Sequence, residues 1–472
     1  MTLLGAKLAA AKLAGAATRA AGRGGGTSLP GRMLLRLEPD AIDELAGRLP
    51  RGSIVISATN GKTTTAAMAA AVLERTGARL VHNRAGANMA GGVASALLAA
   101  AGRGGRMDGD TGLFEVDEFW LQRVAAALHP RAILLGNLFR DQLDRYGELD
   151  AIADRWAEVV KGQEHLVLNA DDPLVADLGR INGVKSFPTT PDSRAARKDL
   201  TPLYFGIDDD GLALPELQHA ADSKHCRRCG HAYVYDAAYL AHLGHYHCPN
   251  CGQRRPDPRV VATDVRLEGV RSSRFRLHTP AGEAEVALPL PGLYNVYNAL
   301  GAAALGVALE MPLGDVVAGL EHVSAAFGRA EVIRAGDRDL VLLLVKNPAG
   351  ANEVLRTLTL EGGQLDVVGL LNDRTADGHD ISWVWDADFE LLAPRLRAMT
   401  CGGTRAAELA VRMKYAGADP AALTVEHDLG RALDAALRGG EGPLYALPTY
   451  TALLELRELL SRRGWTSRYW ER

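Results

Sequence analysis

A run of small hydroxyl residues around one glycine and one lysine, Ser57-Ala58-Thr59-Asn60-Gly61-Lys62-Thr63-Thr64, carries the side chains needed to hold a polyphosphate. It follows a short β-branched stretch, Ser53–Ser57, and leads into an Ala-rich helical stretch, Thr65–Thr76. The local order is therefore strand, tight loop, helix. Backbone N–H groups at a helix start have no intrahelical partner and point outward, so they cradle phosphate oxygens. In this setting Gly61 lets the backbone approach closely, Lys62 neutralises the outer phosphates and the Thr63 hydroxyl is placed to ligate Mg²⁺. Thr59, Asn60 and Thr64 complete the loop. The general phosphate-loop pattern wants a glycine five places before Gly61, where Ile56 stands, so the motif is incomplete. An ordinary helix N-terminus capped by Thr or Asn is the bland alternative, and Gly-Lys-Thr in this position disfavours it.

Two further clusters carry chemistry. Phe114-Glu115-Val116-Asp117-Glu118 ends a predicted strand, and period-2 alternation puts Glu115 and Asp117 on one face and Glu118 on the other. Ligands in open α/β sheets sit at the carboxyl ends of strands, and Mg²⁺ between triphosphate and protein needs one or two carboxylates. Glu115 is the candidate, against the alternative of a solvated acidic turn. Farther on, Cys226-x₂-Cys229 and Cys248-x₂-Cys251 are each followed by a glycine, Gly230 and Gly252. Paired C-x₂-C spacings point to Zn²⁺. Four thiolates close a tetrahedral shell and leave no open position, so this site is expected to be structural, contributing about 10–16 kcal/mol of apparent binding energy to local folding. His225, His231, His245 and His247 are nearby competitors that the cysteine set does not need. Ala232–His247 is aromatic but not basic, which argues against a nucleic-acid module.

The elements that must position these groups follow from composition and pattern. With 472 residues and 47% apolar content, the chain fits two or three domains. Its formal net charge of −4 gives no global pull toward nucleic acid or membrane. Five cysteines, four of them clustered, do not make a secreted disulfide framework, and no uninterrupted apolar run is long enough to span a bilayer. Residues 1–23 are rich in Ala, Leu and Gly with Lys7, Lys12, Arg19 and Arg23 interspersed. Two readings stay open for them, a helix packed on the body and a helix lying near an anionic membrane surface. A cytoplasmic location is expected with either. A linker at Arg23–Thr27 and a short helix around Glu38–Leu49 follow. Thr111–Val116, Ala132–Leu135 and His165–Leu168 are further buried strands between helical stretches, which implies a largely parallel α/β sheet. Residues 222–256 stand out as an insertion, Val260–Leu288 alternates as strands, and Pro291–Leu309 turns into an Ala-rich helix. The α/β alternation restarts after Arg329, with strands expected at Leu340–Val345, Leu365–Leu371 and near Glu408–Val411.

Several of these segments resemble the Mur ligases. Thr59–Thr64 is similar to their ATP loop, and Asn137-Leu138-Phe139-Arg140-Asp141-Gln142-Leu143-Asp144-Arg145-Tyr146-Gly147 to their second marker, with Gln142 where histidine is usual and Ala58 where glycine is usual. Leu168–Pro173, Asn295-x-x-Asn298 and Gly328-Arg329 fall in the expected order. More narrowly, Asn83–Met89, the four-cysteine insert, Lys346–Gly350 and Asn372–Trp383 resemble the MurT family, the synthetase subunits of lipid II isoglutaminyl synthase. The resemblance implies a Mur ligase-like central P-loop ATPase domain (residues 46–328) carrying an inserted four-cysteine zinc ribbon (222–256). An N-terminal helical segment (1–45) precedes it and a Rossmann-like C-terminal α/β domain (329–472) follows.

It also implies an activity. ATP activates the α-carboxylate of D-glutamate in the stem peptide of lipid II, and ammonia displaces phosphate to give D-isoglutamine. By the same resemblance Lys62 and Thr63 hold the triphosphate and its Mg²⁺, Glu115 helps ligate the metal, and Asn298 and Arg329 belong to the nucleotide site. The carbamylated lysine of standard Mur ligases has no identifiable counterpart. Cys401, in Met399-Thr400-Cys401-Gly402-Gly403, lacks the preceding glycine of a nucleophile elbow. The chain is therefore expected to need a separate glutaminase, and the resemblance implies a heterodimer with a GatD-like subunit at the membrane surface where lipid II lies. In that pair an aspartate of this subunit orients the partner's catalytic histidine. Asp373, Asp377 and Asp380 are available, and Asp380, just past Gly378, is the choice; as turn and cap residues they would have only local roles. The competing readings are another amide ligase of the folylpolyglutamate type and a non-catalytic, zinc-stabilised ATP-binding scaffold.

Overall fold

The computed structural model of the chain describes residues 3–20, 28–83, 87–102, 105–141, 149–182, 201–323, 329–440 and 442–467. The first body is built on β1 (Ser53–Ser57), β2 (Leu80–His82), β3 (Thr111–Glu115), β4 (Ala132–Leu135), β5 (His165–Asn169) and β6 (Leu203–Ile207). A hairpin of β7 (Val234–Leu240) and β8 (Leu243–His247) interrupts this sequence. The antiparallel strands β9 (Val260–Glu268), β10 (Ser272–Thr279) and β11 (Gly282–Leu288) then complete the sheet. Among the described residues the order is β11-β10-β9-β6-β5-β4-β1-β3-β2, with β1 to β6 parallel. All five residues of β1 are buried, as its Ser-Ile-Val-Ile-Ser sequence requires of a central strand covered on both faces.

Helices sandwich the sheet. Lys62–Glu74 and the Ala-rich Leu293–Ala308 cover one face together with Leu313–Glu321. The second face is covered by Ala90–Ala100, Leu121–Leu128 and Leu149–Val160, whose buried Trp156 anchors that core. The N-terminal helix, Leu3–Ala20, buries Leu4, Leu8 and Ala11 against this second core, and Lys7 pairs with Glu38 at 2.6 Å. That is the packed arrangement of the two readings. No helix among the described residues is long and apolar enough to cross a membrane. The short helix expected near Glu38–Leu49 is Ala41–Ala46.

The second body holds β12 (Arg329–Ala335), β13 (Arg338–Leu343), β14 (Leu365–Leu370), β15 (Leu396–Gly402), β16 (Leu423–Glu426) and β17 (Leu444–Pro448), ordered β12-β13-β17-β14-β15-β16. Among the described residues only the β12–β13 pair of this sheet is antiparallel. The strand expected near Glu408–Val411 is instead part of a helix, Ala406–Tyr415. Ala406, Leu409 and Met413 are buried while Val411 is exposed, a helical spacing that a four-residue window around Val411 hides. The strand itself lies just upstream at β15. A helix Pro348–Thr359 follows β13 and turns its first residues toward the first body.

Candidate active site

Four adjacent parallel strands, β3, β1, β4 and β5, deliver their carboxyl ends to one place. The loop after β1 is fastened by the residue beyond β4. Asn137 accepts from the Thr59 N–H through its carbonyl (2.9 Å) and from the Asn60 N–H through Oδ1 (2.8 Å), and its own amide donates to the Asn60 carbonyl (3.0 Å). The Thr59 hydroxyl accepts from the Phe139 N–H at 3.1 Å. Gly61 sits at φ +85°, and a Cβ there would lie 2.0 Å from Asn298 Oδ1. Only glycine meets both demands. Asn298 is thereby pressed onto the loop, accepting from the Thr65 hydroxyl (3.1 Å) and donating to Asn295 Oδ1 (3.1 Å). The Lys62–Glu74 helix starts at this point with its first N–H groups directed at the loop's open side.

Lys62 is buried, and its ammonium donates to Glu118 Oε2 at 2.7 Å and to the carbonyls of Ala58 and Thr59. Burial alone would lower its pKa, but Glu118 and Asp117 reverse that and hold the charge firmly in place. For Glu118 burial likewise opposes the charged form, and Lys62 and Lys346 outweigh it, so its carboxyl lies below the ordinary range. Asp117 is pushed upward by burial and by the Glu118 charge. The acidic run is thus no solvated turn, since Glu115, Asp117 and Glu118 are 1%, 6% and 3% exposed. The alternation read for it stops early. β3 ends at Glu115 and a turn follows, closed by the Trp120 N–H on the Asp117 carbonyl (2.9 Å), so Glu118 swings to the lysine. Glu115 is fixed through its backbone, which exchanges hydrogen bonds with the Asn83 side chain (3.0 and 2.8 Å).

The second body reaches into the same place. Lys346 donates to the Thr59 carbonyl (3.1 Å) and pairs with the buried Asp141. Burial pushes the Asp141 carboxyl up, with Lys346 partly offsetting it. Asn347 and Asn60 exchange amide hydrogen bonds in both directions, at 3.2 and 3.0 Å. A cleft of about 780 Å³, counted out to open solvent, runs from the loop between the two bodies. Gly61, Thr64 and Asn298 line it on one side and Lys346, Gly350 and Glu353 on the other. Two ammonium groups, a row of helix-start amides and an apolar cleft beside them make a site for a polyphosphate carrying a flat apolar-faced group. Sequence reading gave no role to Glu118, Asp141 or Lys346. Lys346 lies 287 residues from Thr59 along the chain, and no local pattern joins them.

A smaller cleft shares Lys346 with the first, and Arg140, Asp141, Asp377 and Asp380 also line it. Asp377 is committed locally, accepting from the Thr451 N–H (2.8 Å) and hydroxyl and from the Arg374 N–H. Asp373 accepts from Thr404 and Arg405, both at 2.8 Å. Asp380 is exposed and accepts from the Ser382 N–H at 2.8 Å; the Ser382 side chain and then this N–H hold its carboxyl below the ordinary range. Cys401 is fully buried in β15, and burial pushes its thiol up to about 12, which fits no nucleophile. The Arg329 side chain, Gly328, Arg84–Gly86 and Gln142–Gly147 lie outside the described residues.

The four cysteines converge. Their sulfurs lie within 4.8 Å of one another, with Cys226–Cys251 and Cys229–Cys248 each at 3.5 Å. Ligand sulfurs about 2.3 Å from a tetrahedral ion stand at comparable separations. Gly230 (φ +72°) and Gly252 (φ +74°) close two matching knuckles, their N–H groups donating to the carbonyls of Cys226 and Cys248. Two of the competing histidines are engaged elsewhere, His245 with Asp208 (2.9 Å) and His247 with Asp236 (3.1 Å).

Residues 56–200 match the Mur ligase middle domain, and residues 344–453 match the MurT ligase C-terminal domain. A lipid II isoglutaminyl synthase (glutamine-hydrolyzing) subunit MurT of Staphylococcus aureus is 33% identical over 96% of this chain and 96% of its own length. Among solved structures, a pseudomurein peptide ligase type C from Methanothermus fervidus superposes with a TM-score of 0.66 at 22% identity, covering 89% of this chain and 80% of that one. A Mycobacterium tuberculosis folylpolyglutamate synthase complexed with ADP and AMPPCP gives 0.60 at 16% identity, covering 89% and 94%.

Proposed function

The chain belongs to the MurT family of lipid II isoglutaminyl synthase subunits, and from that premise we propose that it is an ATP-dependent ligase that amidates the α-carboxylate of D-glutamate in the lipid II stem peptide, for peptidoglycan synthesis. The observation that carries the reading is the convergence of Lys62 and Lys346, from two bodies of the chain, on the Thr59 carbonyl at the phosphate loop.

The residues divide the work. The helix-start amides around Gly61 and Lys62 bind the outer phosphates, and Thr59, Asn60 and Thr64 shape the loop. Asn298 and Arg329 belong to the nucleotide side. A carboxylate oxygen of the substrate attacks the terminal phosphorus, the bond to ADP breaks, and an acyl phosphate forms. Charge grows on the phosphoryl oxygens in that step, and fixed cations in a water-poor site stabilise it. Ammonia then attacks the acyl carbon, phosphate leaves with the bonding pair, and the nitrogen loses a proton. Thr63 and Glu115 are the hard oxygen donors that would hold Mg²⁺, which when bound supplies further charge neutralisation. Cys226, Cys229, Cys248 and Cys251 would hold Zn²⁺ as the closed structural site of a zinc ribbon. A GatD-like glutaminase supplies the ammonia, with Asp380 facing it from the rim of the smaller cleft.

The test is amidation of a lipid II analogue by the purified chain, followed by mass spectrometry. Product should require ATP together with either an ammonium salt or a glutaminase subunit and glutamine. Product without ATP, or none in the presence of all components, refutes the reading.

A further inference from the structure

The four-cysteine insert does more than sit on the surface. Its hairpin runs six residues from Val234, beside the cysteines, to Leu240 at the tip, about 20 Å at ~3.3 Å per residue. The tip, Leu240-Ala241-His242-Leu243, does not end in solvent. Leu240 and Leu243 are 4% and 1% exposed and line the cleft that opens from the phosphate loop. They belong to the same lining as Tyr294 of the first body and Leu343, Leu344 and Val354 of the second.

The tip is also wired to both bodies. His242 is fully buried, 3.4 Å from Asp172, with its ring 4.8 Å from that of Phe139, and the Phe139 N–H donates to the loop's Thr59 hydroxyl. The Gly244 N–H donates to the Asp171 carbonyl at 3.0 Å. From the second body, Arg356 donates to the Tyr239 carbonyl and to Glu353 of the cleft, both at 2.7 Å. A two-stranded hairpin is marginal by itself. This one carries the four cysteines at its open end and seats its closed end in the cleft beside the phosphate loop.

We propose that the hairpin tip is a wall of the nucleotide site, with Leu240 and Leu243 packing against the adenine base, so that metal bound at the cysteines sets the affinity for ATP. The inference rests on the ATP reading above. It gives the insert a role in substrate binding, and it makes zinc a positive effector of nucleotide affinity in addition to a folding staple.

Titration calorimetry of the full chain with Mg²⁺ and a non-hydrolysable ATP analogue tests it, with bound zinc measured on the same samples. Leu240→Ala and Leu243→Ala should each weaken binding about tenfold while zinc stays bound, and Leu243→Met should stay within about twofold of wild type. Chelation should weaken binding at least about tenfold, and returning zinc should restore it. Wild-type affinity in the alanine variants and in the zinc-free protein overturns the inference and leaves the ATP reading intact. A zinc-loaded wild-type protein that binds no nucleotide overturns both.

Discussion

Replacing Lys62 by methionine separates the charge of the phosphate-loop lysine from its bulk. The lysine and Glu118 are 2.7 Å apart with side chains 9% and 4% exposed. Breaking such a pair by removing one partner costs about 3–5 kcal/mol, because the other charge stays buried. Here the cost has a ceiling, since Glu118 can take up a proton instead. Protonating a carboxyl of ordinary pKa about 4.3 costs about 3.7 kcal/mol at pH 7 and about 1 kcal/mol at pH 5, at 1.36 kcal/mol per unit. In the variant the folded-state pKa of Glu118 is raised above the unfolded one, so the loss of stability grows as pH climbs between those two values. In the wild type the sign is opposite, and the pair's contribution disappears only as pH falls through the lowered Glu118 value. Lys62→Met should therefore be destabilised by about 3–4 kcal/mol at pH 7 and about 1 kcal/mol at pH 5. Adding Glu118→Gln should erase the difference between the two pH values. Urea unfolding followed by tryptophan fluorescence reports this directly, because the buried Trp156 indole donates to the Glu118 carbonyl at 3.0 Å. Equal destabilisation at both pH values, or no relief from Glu118→Gln, would show that the ion pair is not what holds this corner together.

Three other outcomes are expected. Gly61→Ala places a Cβ 2.0 Å from Asn298 Oδ1 in a left-handed backbone, and should weaken nucleotide binding at least about hundredfold by calorimetry. Asp380→Asn should abolish amidation driven by glutamine and a glutaminase subunit but keep ammonium-driven amidation near wild type; equal loss of both would assign Asp380 elsewhere. Cys229→Ser should release the metal, lower the melting temperature by several degrees and make it insensitive to chelators, whereas the wild type should lose the same stability on chelation.

The strand, tight loop and helix around Gly61 could be read directly because the three are contiguous in the chain. The cysteine knuckles were legible for a similar reason, since each pair and its glycine form one local turn. Glu118 was not, because counting every second residue works only while the chain stays extended, and β3 ends at Glu115. Lys346 and Asn347 were recognisable as a motif but not as neighbours of Thr59 and Asn60, a pairing made by the docking of two sheets. The tip of the four-cysteine hairpin was hidden for the same cause. The misplaced strand at Glu408–Val411 shows the limit of short windows, where Leu409, Val411 and Met413 mimic alternation although the helix exposes Val411.

The mutual amide contact of Asn60 and Asn347 has a consequence for recombining such proteins. Asn347 Oδ1 also accepts from the Gly350 N–H and so caps the helix Pro348–Thr359. One side chain thus orients a helix of the second sheet and grips the loop after β1 of the first. Neither partner carries charge, so salt leaves this latch closed. A chimera that exchanges one sheet for a relative's must bring a matching amide across the seam, or it will leave Asn60 tied only to Asn137 of its own half and unlatched from the other.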